Sequence, residues 1–340
     1  MVVGGYDIII VGGGIQGLFL AYYARKKFIG SKIALFESKI VGSGVTAFSA
    51  HLHQPHGAYD KKVLTEKSLF LYGELQKEFS DFPIEVRDFV GICKTQKLDS
   101  VVPGLVGNYS IASDNSTTGF FNATDEYSTI SGMKALVTMH TIAQYLKELI
   151  IRMGVRVFEG TTISSVQMKN GSFVLCSENG NSYQSSIVLN ASGVSLHKEL
   201  LSFYPVRSKK IVAFHIDHIP KTDASIMFFF DDDAFLLPQP YFSRYLFSYR
   251  CEEWDVDTKS NALFYNKKDL SDAQCILNKY VPSFAERILG GQVFADLYNS
   301  PSSSPVILEI ETNNILIGAT GGSGVRLAPA LALDALSRIV

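Results

Sequence analysis

The beginning of the chain alternates between short apolar runs and a helical pattern. Tyr6–Val11 is rich in β-branched residues and ends in glycines, which is typical of a buried parallel strand. Gly17–Lys27 has helical spacing, with three basic residues in its last turns, where the helix dipole favours positive charge. Lys32–Phe36 is a second apolar run, closed by Glu37. The pattern therefore predicts a β-α-β unit of the size that binds nucleotides.

The next part of the chain changes period several times. Residues 42–60 show no clear period and are interpreted as a long loop. Helices are predicted over Val63–Phe79 and Lys134–Met153, the second one amphipathic and stopped by Gly154, and short strands around Glu85–Val90. A strand and then a three-stranded meander with Asn-Gly turns are predicted over Val155–Phe158, Ser164–Met168, Phe173–Ser177 and Tyr183–Leu189.

The remaining sequence is first antiparallel in pattern and then returns to strand and helix. Aromatic and β-branched residues alternate with polar ones from about Val206 to Asp257, which predicts an antiparallel sheet. Asp269–Val281 and Pro282–Ile288 have helical spacing. The chain ends with a buried strand at Ile315–Ile317, a glycine cluster and a helix from about Ala328 to Ile339.

These elements predict an α/β fold with an inserted α+β unit. The chain has 340 residues, which exceeds the usual size of a single core. We expect a discontinuous nucleotide-binding domain of the Rossmann-like type, formed by residues 1–80, 131–205 and 306–340. An antiparallel-sheet substrate or cap domain is expected from residues 81–130 and 206–305.

Composition excludes several classes of function. A net charge of −2 gives no reason to expect nucleic acid as a partner. The apolar runs are too short to span a bilayer, and the start MVVGGYDIII lacks the basic region of a signal peptide, so a cytoplasmic location is expected. No oligomeric state follows. The four cysteines have no metal-binding spacing, so free thiols and no metal site are predicted for Cys93, Cys176, Cys251 and Cys275.

One motif carries specific chemistry. Residues 12–17 read Gly-Gly-Gly-Ile-Gln-Gly, which fits G-x-G-x-x-G, and they follow a predicted strand and open a predicted helix. Gly12 permits a tight turn, Gly14 permits close approach to a pyrophosphate, and Gly17 permits close packing of helix and strand. Glu37 ends the next strand, where a carboxylate binds an adenosine ribose and disfavours a 2′-phosphate. An adenine dinucleotide is therefore predicted, with Ile15, Gln16 and Ser38 also in the site.

The segments beyond this motif resemble the D-amino acid oxidase family, which has the glutathione-reductase type of FAD fold. An NAD enzyme usually continues with further β-α-β units, whereas this chain continues with a loop, a helix and a meander. Relatives include glycine and sarcosine oxidases, glycerol-3-phosphate dehydrogenases and L-2-hydroxyglutarate dehydrogenases. The matching segments are YDIIIVGGGIQGLFLAYYARKKFIGSKIALFES, the loop GVTAFSAHLHQPHG, IVLNASG and NNILIGATGGSGVRLAPALALDALSRIV. FAD is therefore the expected cofactor.

The resemblance also implies positions of FAD-binding residues. The loop after Glu37 is expected to lie against the flavin or pyrophosphate, and the meander is expected to contact adenine. The C-terminal glycine cluster is expected to point backbone N–H groups at the N1–C2=O edge of the flavin, where reduced flavin carries negative charge. The residues implied are Ser49, Ala50, His51, Val166, Ala191, Gly193, Gly321, Gly322, Gly324, Val325 and Arg326.

A substrate clamp is less clear from the sequence. Many members of the family hold a substrate carboxylate with an arginine shortly before the C-terminal glycine cluster, and Phe294–Ile307 contains none. Arg250 lies among aromatic residues and is the best alternative, with Arg207 and Arg244 weaker candidates. The competing interpretation pairs Arg250 with a nearby carboxylate of Glu252, Glu253 or Asp255.

Three histidines, His51, His53 and His56, crowd the loop that is expected near the flavin. Hydroxy-acid relatives carry S-G-x-x-H here, and residues 49–53 resemble that motif with alanine in place of glycine. His53 is therefore a candidate base for a hydroxyl proton, because imidazole titrates near neutral pH. His51 is a candidate for a covalent flavin link. The alternative is that these histidines bind flavin oxygens or lie on the surface.

Together these observations predict an FAD-dependent oxidoreductase for a small-molecule substrate. The favoured reaction transfers hydride from a C–H bond next to an amine to flavin N5, in a small amine or amino acid. Oxidation of a 2-hydroxy acid or a glycerol phosphate is the alternative. Two rivals stay open: a nicotinamide-dependent dehydrogenase and a flavin-binding subunit without turnover of its own.

Overall fold

The computed structural model describes residues 2–57, 61–112, 126–258, 263–300 and 302–340. Parts of the predicted loop and of the predicted cap segments, namely residues 58–60, 113–125, 259–262 and 301, lie outside the described residues. Among the described residues, no helix is both long enough and apolar enough to cross a membrane.

The elements follow one another in an α/β order that becomes mainly β in the middle. The helices are α1 (Ile15–Lys27), α2 (Val45–Phe48), α3 (Lys62–Glu78), α4 (Leu98–Val101), α5 (Ile142–Arg152), α6 (His197–Leu201), α7 (Lys267–Tyr280), α8 (Pro282–Ala285) and α9 (Gly324–Leu336). The strands are β1 (Val2–Val11), β2 (Ile33–Phe36), β3 (Leu52–His53), β4 (Ile84–Lys94), β5 (Ser110–Ala112), β6 (Tyr127–Thr138), β7 (Arg156–Phe158), β8 (Ile163–Lys169), β9 (Ser172–Ser177), β10 (Ser182–Asn190), β11 (Val206–Ile216), β12 (Ile226–Phe229), β13 (Ala234–Gln239), β14 (Arg244–Tyr249), β15 (Ile288–Asn299), β16 (Val306–Glu311) and β17 (Asn314–Gly318).

The first sheet has the order β16-β17-β10-β1-β2-β7, and the hairpin β8-β9 extends it from β10. Strands β17, β10, β1, β2 and β7 are parallel, as the apolar run Tyr6–Val11 predicts for β1. The main core contains buried residues of α1, α5 and α9 together with strand residues such as Ile8 and Ile10. Helix α1 is buried on nearly every side because α5 and α9 both pack against it. This arrangement confirms the predicted Rossmann-like unit.

The second sheet has the order β15-β11-β14-β13-β12-β4-β6-β3, and β5 pairs with β6. All its strand pairs are antiparallel except β12 with β4, which are parallel. The aromatic strands predicted between Val206 and Asp257 form its centre. The whole of β6 pairs within this sheet, across the boundary at 130/131 that the sequence suggests, and the domain boundaries themselves stay a prediction.

The predicted helix over Lys134–Met153 is wrong in its first part. Residues up to Thr138 belong to strand β6, and the helix α5 begins only at Ile142. The pairing of β6 with β4 runs from Thr138 opposite Ile84 to Tyr127 opposite Lys94, so a long ladder of hydrogen bonds outweighs the local helical spacing. The side chains of Met133 and Ala135 are buried, as the two-residue repeat of a strand requires.

The last helix begins earlier than predicted, at Gly324 instead of about Ala328. Pro329 lies within α9 and has no N–H to donate to the carbonyl of Val325. The hydroxyl of Tyr72 donates to that carbonyl oxygen over 2.7 Å, so the hydrogen bond that proline removes is replaced by a side chain of α3. A sequence read locally cannot show this partner, because Tyr72 is remote along the chain.

Candidate functional site

A cavity of about 1490 Å³ is lined by residues of both sheets. One part of its wall is formed where β1, β2 and β10 end, at Val11, Phe36 and Asn190. Ligands of open parallel sheets bind at these carboxyl ends of strands. The opposite part of the wall is formed by the second sheet, including Ile211 of β11 and Phe294 of β15. The cavity therefore joins a dinucleotide-binding edge to an apolar sheet face.

The first glycine loop has the conformation that the motif requires. Gly12 has φ +104°, and a Cβ there would lie 2.5 Å from the carbonyl oxygen of Ala191. A Cβ on Gly17 would lie 1.8 Å from the carbonyl oxygen of Gly12. Gly14 lies on the cavity wall with only Thr46 near its missing Cβ, at 3.4 Å. The loop thus passes close beneath the cavity and leaves the space above Gly14 for a ligand.

Glu37 is fixed at the edge of this loop. Its Oε2 accepts a hydrogen bond from the N–H of Gly13 at 2.7 Å, and Oε1 accepts from the N–H of Lys39 at 2.8 Å. The hydroxyl of Ser38 also donates to Oε1, at 3.0 Å. Both Glu37 and Ser38 line the cavity. The carboxylate is therefore already oriented, as a ribose-binding residue must be.

Gln16 connects the two glycine-rich segments. Its Nε2 donates to the carbonyl oxygen of Gly324 at 2.7 Å, which ties the start of α1 to the start of α9. Its Oε1 is buried and has no hydrogen-bond partner within the described residues. Because Gln16 lines the cavity, this acceptor is suited to a hydroxyl of a bound cofactor. This buried, unpartnered atom and the space above Gly14 both fit FAD.

The C-terminal glycine cluster is held by a tyrosine of the second sheet. Gly321 has φ +56°, and a Cβ there would lie 2.5 Å from the ring of Tyr298. The N–H of Gly322 donates to the Tyr298 hydroxyl at 2.9 Å. One of the N–H groups that the sequence assigns to the flavin edge is therefore already bonded to Tyr298. Burial, followed by the nearby charge of Asp296, raises the pKa of Tyr298, so this hydroxyl stays protonated.

Arg326 lies in the first turn of α9 with a buried guanidinium. Its two terminal nitrogens donate to the carbonyl oxygen of His56 and to Oγ of Ser323, each at 2.7 Å. Its Nε has no partner among the described residues. Burial lowers the pKa of Arg326 to about 10, so it stays a cation at neutral pH. This positive charge adds to the helix N-terminus at the cavity wall, where an anion would be stabilised.

Two of the three predicted histidines lie behind the cavity wall. His53 is fully buried, and its Nε2 and the Nδ1 of His51 each lie 3.2 Å from the hydroxyl of Thr138. The His53 ring packs against Tyr72, with centroids 4.3 Å apart. Burial lowers the pKa of His51 to about 3 and that of His53 well below its ordinary value. Both rings are therefore neutral and enclosed by protein.

His56 differs from the other two because it does line the cavity. Burial and the charge of Arg326 lower the pKa of His56 to about 4, so its imidazole is neutral at pH 7 and a weaker base than an ordinary histidine. The ring also packs against Phe230, with centroids 4.9 Å apart.

The predicted arginine clamp is largely occupied by other partners. Arg250 lines the cavity, but its Nε forms an ion pair with Glu252 at 2.7 Å, and its side chain is 53% exposed. This is the pairing that the competing interpretation of the sequence names. Arg207 forms an ion pair with Asp255 at 2.6 Å. Arg244 donates to Oε1 of Gln239 at 3.1 Å.

The other predicted FAD residues divide clearly by position. Those on the cavity wall are Gly12, Gly14, Ile15, Gln16, Glu37, Ser38, Ser49, Ala50, Val166, Ala191, Gly193, Gly322, Gly324, Val325 and Arg326. Those that the structure places off the wall are Gly17, His51 and Gly321. Gly17 and Gly321 act through packing, as their missing Cβ atoms show.

Sequence reasoning missed several charged residues on the cavity wall, among them Lys61, Lys209 and Asp296. Asp296 is the single charged residue of its strand, ILGGQVFADLYN, whereas Lys209 lies in the basic beginning of VRSKKIVAFHI, next to Lys210. A single charge on the buried face of such a strand indicates a cavity or a buried ion pair. Such a charge is visible in the sequence, but the residue that lies opposite it in the neighbouring strand is not.

A group of possible metal ligands lies elsewhere, at Cys251, Glu253 and Asp269, whose ligand atoms are within 4.8 Å of one another. The ammonium of Lys210 lies 2.9 Å from Glu253 and 2.7 Å from Asp269. Lys210 therefore supplies the positive charge that these carboxylates need.

With the fold and cavity in place, comparison with known proteins identifies the class. The model of the FAD dependent oxidoreductase family (DAO) matches residues 7–116 and 121–336, which is nearly the whole chain. The chain belongs to this family, so it is an FAD-dependent oxidoreductase, and the predicted family, fold and cofactor are confirmed. No curated protein matches the sequence.

Solved structures of this fold superpose over almost the full length. L-alpha-glycerophosphate oxidase from Mycoplasma pneumoniae with FAD bound has a TM-score of 0.81 and 14% identity, covering 98% of this chain and 94% of that one. Glycine oxidase from Geobacillus kaustophilus has a TM-score of 0.78 and 15% identity, covering 99% and 95%. L-proline dehydrogenase from P. horikoshii has a TM-score of 0.79 and 16% identity, covering 97% and 91%. At these identities the likeness establishes the fold alone.

Proposed function

We propose that this protein oxidises a small amine or amino acid at the C–H bond next to nitrogen, with hydride passing to N5 of FAD. Loss of hydride from the neutral amine would leave an iminium ion, the protonated form of the imine.

The residues around the first glycine loop would hold the adenosine and pyrophosphate of FAD. Glu37 is oriented to accept hydrogen bonds from a ribose, and the space above Gly14 admits a pyrophosphate. Gln16 uses one Nε2 hydrogen for the carbonyl oxygen of Gly324, and its free Oε1 would accept a hydrogen bond from a hydroxyl. Arg326 and the start of α9 would place positive charge near the flavin.

The observation that carries the proposal is the carboxyl group of Asp296 on the cavity wall. It lies on an apolar sheet face beside Phe294, and burial raises its pKa to about 8. An amine must lose its extra proton before its neighbouring carbon can lose hydride. A carboxylate whose pKa lies near neutral pH is a suitable acceptor for that proton. Asp296 would therefore bind the ammonium group of the substrate and take its proton.

A second candidate is oxidation of a 2-hydroxy acid or a glycerol phosphate. The observation that favours it is His56, whose neutral imidazole lies on the cavity wall. His53, which the sequence nominated as the base, is fully buried and lies off the wall. A hydroxyl substrate would therefore use His56.

The test is anaerobic reduction of the FAD-loaded protein by a panel of amines, amino acids and hydroxy acids, followed by the loss of flavin absorbance. We expect amines or amino acids to bleach the flavin. In wild type, kcat/KM should rise with pH and level off above about 8, because only ionised Asp296 accepts the proton. Asp296→Asn should lose the rise of kcat/KM with pH and most of its activity. Asp88→Asn is the matched control, because Asp88 is exposed and pairs with Lys134 on the second sheet.

Each competing function has its own outcome in the same experiment. Bleaching by hydroxy acids only, with loss of activity in His56→Gln, would establish the second candidate. A yellow protein that no panel member bleaches would favour a flavin-binding subunit without turnover.

We also propose a cytoplasmic location, which the four free cysteines support.

A further inference from the structure

Two opposite charges face each other across β11 and β15 on the cavity wall. Lys209 is directly opposite Asp296 in the antiparallel register of these strands, and both residues line the cavity. Side chains directly opposite each other in such a pair have Cβ atoms about 5 Å apart. The next pair on the same face, Ile211 opposite Phe294, is apolar. The two charged residues therefore lie between an apolar pair on one side and the pair Arg207 and Tyr298 on the other.

Lys209 is a buried cation without a counter-ion in contact. Only 5% of the residue is exposed, and its Nζ lies 4.9 Å from the ring of Trp254 and 5.6 Å from the ring of Tyr298. It forms no ion pair within the described residues. Burial and then the charge of Arg250 lower its pKa, whereas Glu252 and Asp233 lie near enough to favour its charge. A buried ammonium without a hydrogen-bonded partner is costly, and a ligand carboxylate would reduce that cost.

Asp296 also lines the cavity, and the charge of Lys61 lies near enough to oppose the rise in its pKa that burial causes. Its Oδ1 accepts one hydrogen bond, from the N–H of Leu297 at 2.9 Å. It makes no ion pair with Lys209, although the register places the two residues opposite each other. The cavity wall therefore carries a buried ammonium and a carboxyl group that are not paired with each other.

We infer that Lys209 and Asp296 together bind a zwitterion, with the substrate carboxylate at Lys209 and the substrate nitrogen at Asp296. This inference rests on the proposed function and narrows its substrate class to amino acids. Lys209 then does the work of the arginine that Phe294–Ile307 lacks, from a different strand. Arg250 is a poorer candidate because Glu252 already holds it.

Tyr298 places this site beside the cofactor loop. It lies two residues after Asp296 on β15, and its hydroxyl accepts the N–H of Gly322. The Lys209 ammonium lies over the same ring. A substrate held between Lys209 and Asp296 would therefore lie next to the residues that would hold the flavin.

The test uses the FAD-loaded full chain, the variant Lys209→Met and two readouts. The first is equilibrium binding of benzoate, an unreactive carboxylate, followed by the change in flavin absorbance. The second compares amino acids with their decarboxylated amines, such as phenylalanine with phenethylamine, in anaerobic reduction. Arg207→Met is the matched control, because Arg207 lies 5.0 Å from the same Trp254 ring but does not line the cavity. Lys209→Arg keeps the charge and shows whether loss of activity reflects charge or folding.

We expect Lys209→Met to weaken benzoate binding and amino-acid binding by roughly 10- to 100-fold, as for a lost hydrogen bond to a charged group. Reduction by the decarboxylated amine should change less than threefold, and Lys209→Arg should retain much of the benzoate affinity. Equal benzoate binding by wild type and Lys209→Met would overturn the inference, as would a wild-type preference for amines without a carboxylate. Lysine-dependent benzoate binding without bleaching by any compound would uphold the carboxylate site and refute amine oxidation instead.

Discussion

The buried hydroxyl of Thr138 offers a direct way to separate a structural from a catalytic role of His53. This hydroxyl is the hydrogen-bonding group shared by His51 and His53, at 3.2 Å from a ring nitrogen of each. Thr138→Val keeps the shape and β-branching of the side chain and removes only the hydroxyl. The other ring nitrogen of His53, Nδ1, makes no hydrogen bond among the described residues.

The expected cost follows from these contacts. Two neutral hydrogen bonds disappear and two imidazole nitrogens lose their partner in a buried place, which should lower the free energy of unfolding by about 2–3 kcal/mol. For a protein of this size the urea midpoint should fall by roughly 0.5–1 M. Urea unfolding with saturating FAD measures this shift. Thr141→Val is the matched control, because Thr141 is exposed and makes no side-chain cap, so its cost should stay within about 0.5 kcal/mol.

Measuring kcat of Thr138→Val separates a structural role of His53 from a catalytic one. If His53 is structural, Thr138→Val should keep kcat within about twofold at temperatures where it is folded. A general base that loses its positioning partner would lower kcat far more, since such bases contribute roughly 10²- to 10⁴-fold. A large drop in kcat with normal stability and FAD content would refute the structural role that we assign to His53.

Three further predictions concern acid stability, a buried ion pair and the glycine cluster. Burial lowers the pKa of His51 to about 3. As the pH falls below about 6.5, the unfolded chain binds a proton at this residue that the folded chain does not, so the free energy of unfolding falls. His51→Asn should reduce this fall by up to about 1.4 kcal/mol per pH unit. Lys210→Met should cost about 3–5 kcal/mol in urea unfolding because it strands the buried carboxylate of Asp269, and the double change with Asp269→Asn should recover part of that. Gly321→Ala should reduce FAD retention on gel filtration, because its Cβ would lie 2.5 Å from the Tyr298 ring at φ +56°, and normal retention would contradict the assigned packing.

The parts of the fold that the sequence predicts well are those fixed by neighbours along the chain. The unit from Tyr6 to Glu37 is an example, because strand, glycine turn and helix each carry their own local signal. The segment Lys134–Thr138 is not, because its strand pairing with β4 depends on residues 40 or more positions away. These residues do have helical spacing, but their pairing in the sheet is more favourable than a local helix.

The site divides in the same way. Gly12, Gly14 and Glu37 were found because a motif fixes their spacing, and the structure places all three on the cavity wall. The position of His53 behind the wall depends on Thr138, which lies in another strand. The pairing of Lys209 with Asp296 depends on the register of β11 and β15. No spacing within one segment encodes such a register, so the sequence alone does not bring these two residues together.

The side chain of Tyr298 couples the proposed substrate site to the proposed FAD site. One end of this side chain is anchored in β15, on the face that would hold the substrate, and the other end holds the glycine loop of the cofactor through Gly322. Any ligand that favours one position of β15 therefore also favours one shape of the loop. Thermodynamic reciprocity then requires that substrate tightens or loosens FAD by the same factor by which FAD changes the affinity for substrate.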